Sequence, residues 1–181
     1  MDLLTRREID ALLSAHGLRA SRALGQHFLA DPNTARKIAR LAEVGPGDRV
    51  LEIGPGVGSL TLALAETGAS VLALERDRHL IPVLRDVTAA LENVEIVEGD
   101  ALHADWGDVL GDGPWAMASN LPYNIATPLL AELLESAPHV QRMLVMVQRE
   151  VAERLVAPPG NRVAGGISVK WSSIRPRLPI G

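Results

Sequence analysis

The sequence predicts an α/β protein built on a parallel sheet with helices on both faces. Three observations support this prediction. Five short apolar runs have the length of strands, and segments with helical periodicity separate them, which is the alternation that produces parallel sheets. A cluster of glycines directly follows the first run, as in folds that bind nucleotides at a strand–turn–helix unit. The length of 181 residues suits a single domain.

Capping residues and turn signals place the predicted helices. Asp31 is an N-cap followed by a proline in the first turn. Asp77 has the same role in a helix that tolerates Pro82 because the proline falls early in it. Either Ser59 or Thr61 is expected to cap the helix after the glycine cluster. The predicted helices are, in chain order, about 3–16, 31–43, 59–68, 77–92, 127–136 and 149–156.

Apolar runs that end in a polar residue place the predicted strands at 49–53, 70–75, 94–98, 115–119 and 140–148. Residues 103–114 are rich in Asp and Gly and are predicted as a loop. Ligands of open parallel sheets bind beyond the carboxyl ends of the strands. Polar residues at these strand ends are therefore the candidates for a binding site.

Composition excludes several classes of protein. A hydrophobic fraction of 47% and a charged fraction of 22% are typical of a globule with a sizeable core. The absence of cysteine excludes disulfides and thiolate metal sites, and the five histidines lack the spacing of metal ligands. The charged N-terminus is unlike a signal peptide, and no apolar run reaches membrane-spanning length. We therefore expect a cytoplasmic protein without a metal.

The net charge of −4 is unevenly distributed. Residues 41–140 carry sixteen acidic side chains against four basic ones, whereas residues 141–181 carry seven basic against two acidic. The acidic middle suits a cationic ligand, and the basic ends could contact the phosphates of a nucleic acid. Solvated basic helices are the more frequent explanation of such charge on its own.

The glycine cluster after the first strand differs from a dinucleotide fingerprint. Gly54, Gly56 and Gly58 alternate with single residues, and the acidic Glu52 precedes them. A carboxylate at this place would repel a pyrophosphate but suit a cation or an amino group. Glu75 ends the next strand about 20 residues later, where a ribose hydroxyl partner is expected. S-adenosylmethionine, a nucleoside with a positive sulfonium and no phosphate, fits these features; an ordinary left-handed turn is the alternative.

A second motif, Asn120-Leu-Pro-Tyr123, suggests a reaction. The lone pair of an exocyclic base amine is delocalised into the ring, and two oxygen acceptors would free it by holding the amine hydrogens. The side-chain carbonyl of Asn120 is one candidate acceptor, and the backbone carbonyl of Leu121 or Pro122 is the other. Tyr123, the single tyrosine, offers a face on which an extruded base can stack. A plain Asn/Pro turn after a strand is the alternative interpretation.

The combined motifs resemble those of the KsgA/RsmA-type ribosomal RNA adenine dimethyltransferases. The resemblance covers roughly residues 10–165 and implies a Rossmann-like class I methyltransferase fold. The matching segments, in the family's order, are Gly25-Gln-His-Phe-Leu29, Glu52-Ile-Gly-Pro-Gly-Val-Gly-Ser-Leu-Thr61, Glu75, Glu98-Gly-Asp-Ala101, Asn120-Leu-Pro-Tyr-Asn-Ile125 with Thr127-Pro128, and Met146-Val-Gln-Arg-Glu-Val-Ala-Glu-Arg-Leu155.

The resemblance implies a role for individual residues. Glu75 would hold the ribose hydroxyls, Asp100 would accept a hydrogen bond from the adenine amine, and Asn120 would touch both the methionine portion and the target amine. His27 stands where many relatives carry Asn. The cofactor-binding residues that the resemblance implies are Gln26, His27, Leu29, Gly54, Gly56, Glu75, Asp100, Ala101 and Asn120, and the catalytic ones are Asn120, Leu121, Pro122 and Tyr123.

The implied substrate is a pair of adjacent adenosines near the 3′ end of 16S ribosomal RNA, within the small ribosomal subunit or its precursor. Each would be methylated twice at N6, as a step in small-subunit biogenesis, by a monomer without a membrane partner. Residues 1–171 would form the S-adenosylmethionine-binding domain, and residues 172–181 an irregular tail. The family's final strands and its C-terminal helical domain are expected to be absent.

Three alternatives remain open. A 23S ribosomal RNA adenine methylase shares most of the motifs, although Leu121 favours the 16S enzyme because those relatives more often carry Ile at this place. A DNA adenine methyltransferase fits less well, since its loop usually has two prolines. A truncated, non-catalytic ribosome-assembly module would keep the fold without the reaction.

Overall fold

The computed structural model describes residues 3–18, 28–121, 125–147 and 149–156. Its helices are α1 (Arg6–Ala15), α2 (Pro32–Leu41), α3 (Ser59–Ala65), α4 (Ile81–Thr88), α5 (Trp106–Leu110), α6 (Ala126–Ser136) and α7 (Arg149–Val156). Its strands are β1 (Arg49–Ile53), β2 (Ser70–Glu75), β3 (Val94–Glu98), β4 (Trp115–Asn120) and β5 (Val140–Met146).

The five strands form one sheet in the order β3-β2-β1-β4-β5, and all neighbouring strands are parallel. The predicted parallel sheet is therefore confirmed. From β1, the strands β2 and β3 are added on one side of the sheet, and β4 and β5 are added on the other side. The place between β1 and β4 is therefore the switch point at which open α/β sheets bind their ligands. All five strands end on the same side of the molecule, which we call the carboxyl side of the sheet.

Alternating strand residues divide the core into two layers, because successive side chains of a strand point to opposite faces. Val50 and Val71 pack with α1 to α4 on one face. Leu51 and Leu72 pack with α5 to α7 on the other face. The helices therefore cover both faces of the sheet, as a buried parallel sheet requires.

Side-chain capping fixes the first two helices. The Asp31 carboxylate accepts hydrogen bonds from the backbone N–H groups of Asn33 and Thr34, both at 3.1 Å, as the sequence predicts. Thr5 and Glu8 form a reciprocal capping box at the start of α1. Each bond satisfies a backbone donor that the helix leaves free.

Three local predictions are wrong. The N-cap of α3 is Gly58, which has no side chain to cap the helix. Thr61 donates its hydroxyl to Glu52, and the hydroxyl of Ser59 has no hydrogen-bond partner among the described residues. Asp77 organises a turn before α4, which begins only at Ile81. The segment predicted as a loop contains α5, which Asp105 caps.

The described part of the chain has no helix with the length and apolar character needed to span a bilayer. The predicted tail at 172–181 lies outside the described residues.

Candidate active site

The glycine turn follows β1 and adopts the conformation that requires glycine. Gly54, Gly56 and Gly58 have φ angles of 70°, 61° and 89°. Side chains rarely tolerate this left-handed region. The ring of Phe28 lies 3.0 Å from the point where a Cβ on Gly56 would stand. A bare backbone is therefore needed at Gly56 for two independent reasons.

Glu75 ends β2 with its carboxylate on the glycine turn. One oxygen accepts a hydrogen bond from the N–H of Gly56 at 2.9 Å, and the other accepts from the N–H of Asp77 at 2.8 Å. Burial raises the pKa of Glu75 above its ordinary value, although these backbone hydrogen bonds oppose the shift. A carboxylate oxygen can accept more than one hydrogen bond. Glu75 is thus held in place while keeping capacity to accept hydroxyl donors.

Glu52 has a role that differs from its predicted one. It is 1% exposed and accepts a 2.6 Å hydrogen bond from the hydroxyl of Thr61 on α3. Burial raises the pKa of Glu52 to about 8, and the nearby charge of Glu75 acts in the same direction. Glu52 is therefore mainly neutral at pH 7, and it joins β1 to α3 instead of attracting a cation.

Asp100 follows β3 and is held by three donors. Its Oδ1 accepts from the backbone N–H of Leu102 at 3.1 Å. Its Oδ2 lies 3.3 Å from the Arg76 guanidinium and 3.2 Å from Nδ1 of His103. Burial alone would raise the pKa of Asp100, but these hydrogen bonds and charges lower it below its ordinary value. Asp100 is the ionised acceptor of the site.

Asn120 ends β4, next to β1 in the sheet, and is partly buried. The residue before it, Ser119, is fully buried and accepts a 2.8 Å hydrogen bond from the N–H of Ile53. The residue after it, Leu121, is 2% exposed and donates its backbone N–H to the carbonyl of Met146 at 3.1 Å. The backbone on both sides of Asn120 is therefore anchored.

The structure brings six of the twelve predicted site residues to the carboxyl side of the sheet, and Leu121, which follows Asn120, is one of them. Gly54 and Gly56 follow β1, Glu75 ends β2, and Asp100 follows β3. These segments are directly bonded to one another: the N–H of Gly54 donates to the carbonyl of Leu74 at 3.0 Å, and the N–H of Gly99 donates to the carbonyl of Glu75 at 2.9 Å. Asn120 ends the strand on the other side of β1.

The remaining predicted residues fall into two groups. Ala101 is buried in the core beside α5, and Leu29 packs on the core of the opposite face. Four of them lie outside the described residues, namely Gln26, His27, Pro122 and Tyr123.

Sequence reasoning missed Arg76, His103 and Ser119. Arg76 directly follows Glu75, and His103 lies three residues after Asp100, so their proximity to strand ends was the available signal. Ser119 also ends a predicted strand, next to Asn120, but the sequence does not indicate its partner Ile53, which lies 66 residues away in the chain. No group of three or more His, Asp or Glu side chains in the described ranges is arranged to hold a metal ion.

Two features fit a bound nucleoside at this place. The glycine turn places Gly54, Gly56 and Gly58, which have no side chains, next to the carboxylate of Glu75. Ser59, at the start of α3, is 4% exposed, and its Oγ has no hydrogen-bond partner among the described residues. Together with the two acceptors Glu75 and Asp100, these features suit a ligand that has hydroxyl and amine donors.

Comparison with known proteins identifies the family of this chain. The model of the family described as ribosomal RNA adenine dimethylase matches residues 17–172. A curated relative, ribosomal RNA small subunit methyltransferase A of Phenylobacterium zucineum, is 47% identical over 169 residues, which is 93% of this chain and 59% of the relative. The chain thus spans about three fifths of that relative's length.

Solved structures show the same fold. A dimethyladenosine transferase from Plasmodium falciparum is 29% identical with a TM-score of 0.68, over 80% of this chain and 51% of that one. The 23S rRNA methyltransferase ErmE is 34% identical with a TM-score of 0.64, over 71% and 50%. A Salinibacter ruber RNA methyltransferase, solved with S-adenosyl-L-homocysteine, shares only the fold, at 21% identity and a TM-score of 0.50 over 60% and 71%.

The glycine turn, the acidic ends of β2 and β3 and the Asn120 segment lie within the span that the family model matches, so this chain belongs to the ribosomal RNA adenine dimethylase family.

Proposed function

We propose that this chain binds S-adenosylmethionine and dimethylates N6 of two adjacent adenosines near the 3′ end of 16S ribosomal RNA. The observation that carries the proposal is the arrangement around β1. Its glycine turn is bonded to Glu75 on one side, and Asn120 ends the strand on the other side. The name of the curated relative, which refers to the small subunit, supports the choice of 16S over 23S ribosomal RNA.

The nucleoside end of the cofactor would lie along the ends of β2 and β3. Glu75 would accept hydrogen bonds from the ribose hydroxyls, because its carboxylate is fixed by the N–H groups of Gly56 and Asp77. Asp100 would accept from the adenine amine, and Ala101 would lie beside it. The bare backbone of Gly54 and Gly56 would line the methionine end. When bound, S-adenosylmethionine supplies an electrophilic methyl group on a positive sulfonium.

Asn120 would bind the target amine. Its side-chain carbonyl would accept one amine hydrogen, and the backbone carbonyl of Leu121 or Pro122 would accept the other. These two bonds favour a pyramidal nitrogen whose lone pair is available for reaction. Ser119 and Leu121 are both buried and hydrogen-bonded, so the backbone that carries the Asn120 amide is fixed before the substrate arrives. Such prior positioning lowers the cost of reaching the transition state. Tyr123 would stack on the extruded base.

The test combines binding and transfer on the whole chain. Calorimetry with S-adenosylmethionine should show binding. Incubation with labelled cofactor should then place N6-dimethyladenosine in the 16S RNA of immature small subunits, measured by mass spectrometry of nuclease digests. Binding without transfer would contradict the enzymatic proposal and support an assembly module. Label in 23S instead of 16S RNA would contradict the proposed substrate.

A further inference from the structure

The exposed side chains of Arg76 and His103 converge on one oxygen of Asp100. The Arg76 guanidinium lies 3.3 Å from Oδ2 and Nδ1 of His103 lies 3.2 Å from the same atom. The side chains of Arg76 and His103 are 70% and 80% exposed, whereas that of Asp100 is 24% exposed. The two donors therefore bind the carboxylate from the solvent side.

The other carboxylate oxygen is held from the protein side. The backbone N–H of Leu102 donates to Oδ1 at 3.1 Å. A carboxylate offers about four acceptor positions on its two oxygens. The three donors leave about one position free, so Asp100 can accept one further hydrogen bond in a fixed orientation.

Arg76 also connects the two halves of the proposed nucleoside site. It directly follows Glu75, the proposed ribose partner at the end of β2. Its guanidinium contacts Asp100, which follows the neighbouring strand β3. The backbone of the same two strand ends is joined by the hydrogen bond from Gly99 to Glu75. A nucleoside whose ribose lies on Glu75 and whose base lies on Asp100 would therefore run alongside Arg76.

We infer that Arg76, together with His103, is a positioning residue that sets the specificity of the site for a 6-aminopurine over a 6-oxopurine. This inference rests on the proposed function. A 6-amino group donates to the free position of the Asp100 carboxylate. A 6-oxo group presents an acceptor to the same carboxylate, so both oxygens repel each other and neither is satisfied. A site that accepts a hydrogen bond from the ligand discriminates strongly against an analogue without that donor. An apolar pocket discriminates less strongly against a ligand of different size.

The effect of Arg76 acts through orientation. Without the Arg76 guanidinium, Oδ2 of Asp100 keeps only its contact with the exposed His103, so the orientation of the carboxylate is less firmly held. The carboxylate then forms its hydrogen bond with a purine 6-amino group less often, and it repels a 6-oxo group less strongly. Because exposed ion pairs are individually weak, we expect selectivity to fall by about two- to fivefold, without being abolished.

The test uses S-adenosylhomocysteine and S-inosylhomocysteine, which differ at the 6-position of the purine. Calorimetry on the whole chain gives the ratio of their dissociation constants. Arg76→Gln should reduce the preference for the adenosyl compound by the factor given above, and Arg76→Lys should restore part of it. Arg78→Gln, which removes the same charge from an exposed residue two positions away, should leave the ratio unchanged.

A double-mutant cycle with Asp100→Asn identifies the route of the effect. In the Asp100→Asn background, Arg76→Gln should change the ratio no further. An unchanged ratio in the single variant, or an equal loss in both backgrounds, would overturn the inference. If the unaltered chain binds neither compound, the proposed function itself fails, and that result is distinct from normal binding with an unaffected ratio.

Discussion

The hydroxyl of Ser119 accepts a hydrogen bond from the backbone N–H of Ile53 at 2.8 Å, where β1 and β4 no longer pair. Backbone pairing between these strands covers only Val50 with Ala116 and Leu51 with Met117. By contrast, β1 pairs with β2 along its whole length, from Arg49 to Ile53. The side chain of Ser119 thus takes the place of a backbone acceptor at the switch point of the sheet.

Ser119→Ala should destabilise the protein by about 1–3 kcal/mol, because the buried N–H of Ile53 would lose its acceptor. Urea unfolding measures the change. Ser136→Ala, at the exposed end of α6, is the matched control and should change stability by no more than about 0.5 kcal/mol. Equal stabilities of the two variants would show that the Ser119 bond contributes nothing.

Glu52→Gln should remove a pH dependence of stability. Glu52 has an ordinary pKa of 4.5 and a folded pKa of about 8, so the folded state retains a proton that the unfolded state releases. The stability that neutral Glu52 contributes is complete below about pH 4.5 and is lost as the pH rises to about 8. Within that window, the wild type should lose up to about 1.4 kcal/mol per pH unit relative to the Gln variant.

Urea unfolding of both proteins across this pH range measures the difference. Glu95→Gln changes an exposed carboxylate on β3, and its plot of unfolding free energy against pH should run parallel to that of the wild type. If the Glu52→Gln curve is also parallel to the wild type, the raised pKa of Glu52 is wrong.

Gly56→Ala should cost more stability than Gly17→Ala. Both glycines have positive φ angles, of 61° and 68°, so both substitutions introduce backbone strain of about 1–2 kcal/mol. An added Cβ meets nothing within 4 Å at Gly17 but meets the Phe28 ring at 3.0 Å at Gly56. Gly56→Ala should therefore lose more stability than Gly17→Ala, as measured from denaturant midpoints. This difference should become smaller when Phe28 is replaced by Leu. An excess that persists in that background would exclude the ring as its cause.

Glu75→Gln should weaken S-adenosylhomocysteine binding by roughly ten- to a hundredfold, because charged hydrogen bonds are worth about 1.5–3 kcal/mol and an amide supplies only one acceptor oxygen. Calorimetry measures the dissociation constant. Glu98→Gln is the control, since Glu98 is the exposed register partner of Glu75 on β3. An unaltered constant in Glu75→Gln would contradict the ribose role.

Asn120→Ala should reduce methyl transfer at saturating cofactor by at least about a hundredfold, as expected for the loss of a positioned hydrogen-bonding group. The unfolding midpoint should stay close to that of the wild type, because Ser119 and Leu121 continue to anchor the backbone. Wild-type transfer rates in this variant would refute the proposed mechanism.

Much of the fold was predictable from local sequence. The strands Ser70–Glu75 and Val94–Glu98 and the helix Arg149–Val156 have the predicted bounds. Their signals are local, since apolar periodicity and flanking turn residues act within a few residues. The helix Trp106–Leu110 was missed because it is short and lies in an Asp- and Gly-rich segment, although Asp105 caps it.

Spacing along the chain was enough to predict the parallel α/β architecture, the glycine turn and the polar residues that end the strands. The charge and the hydrogen-bond partners of each acidic residue depend instead on how the chain folds. Glu52 is buried and mainly neutral, Glu75 is bonded to the glycine turn, and Asp100 is ionised between Arg76 and His103. The charge of a carboxylate depends on its burial and on the groups that surround it in space. The hydrogen bond between Ser119 and Ile53, where β1 and β4 separate, likewise joins residues that are distant in the chain.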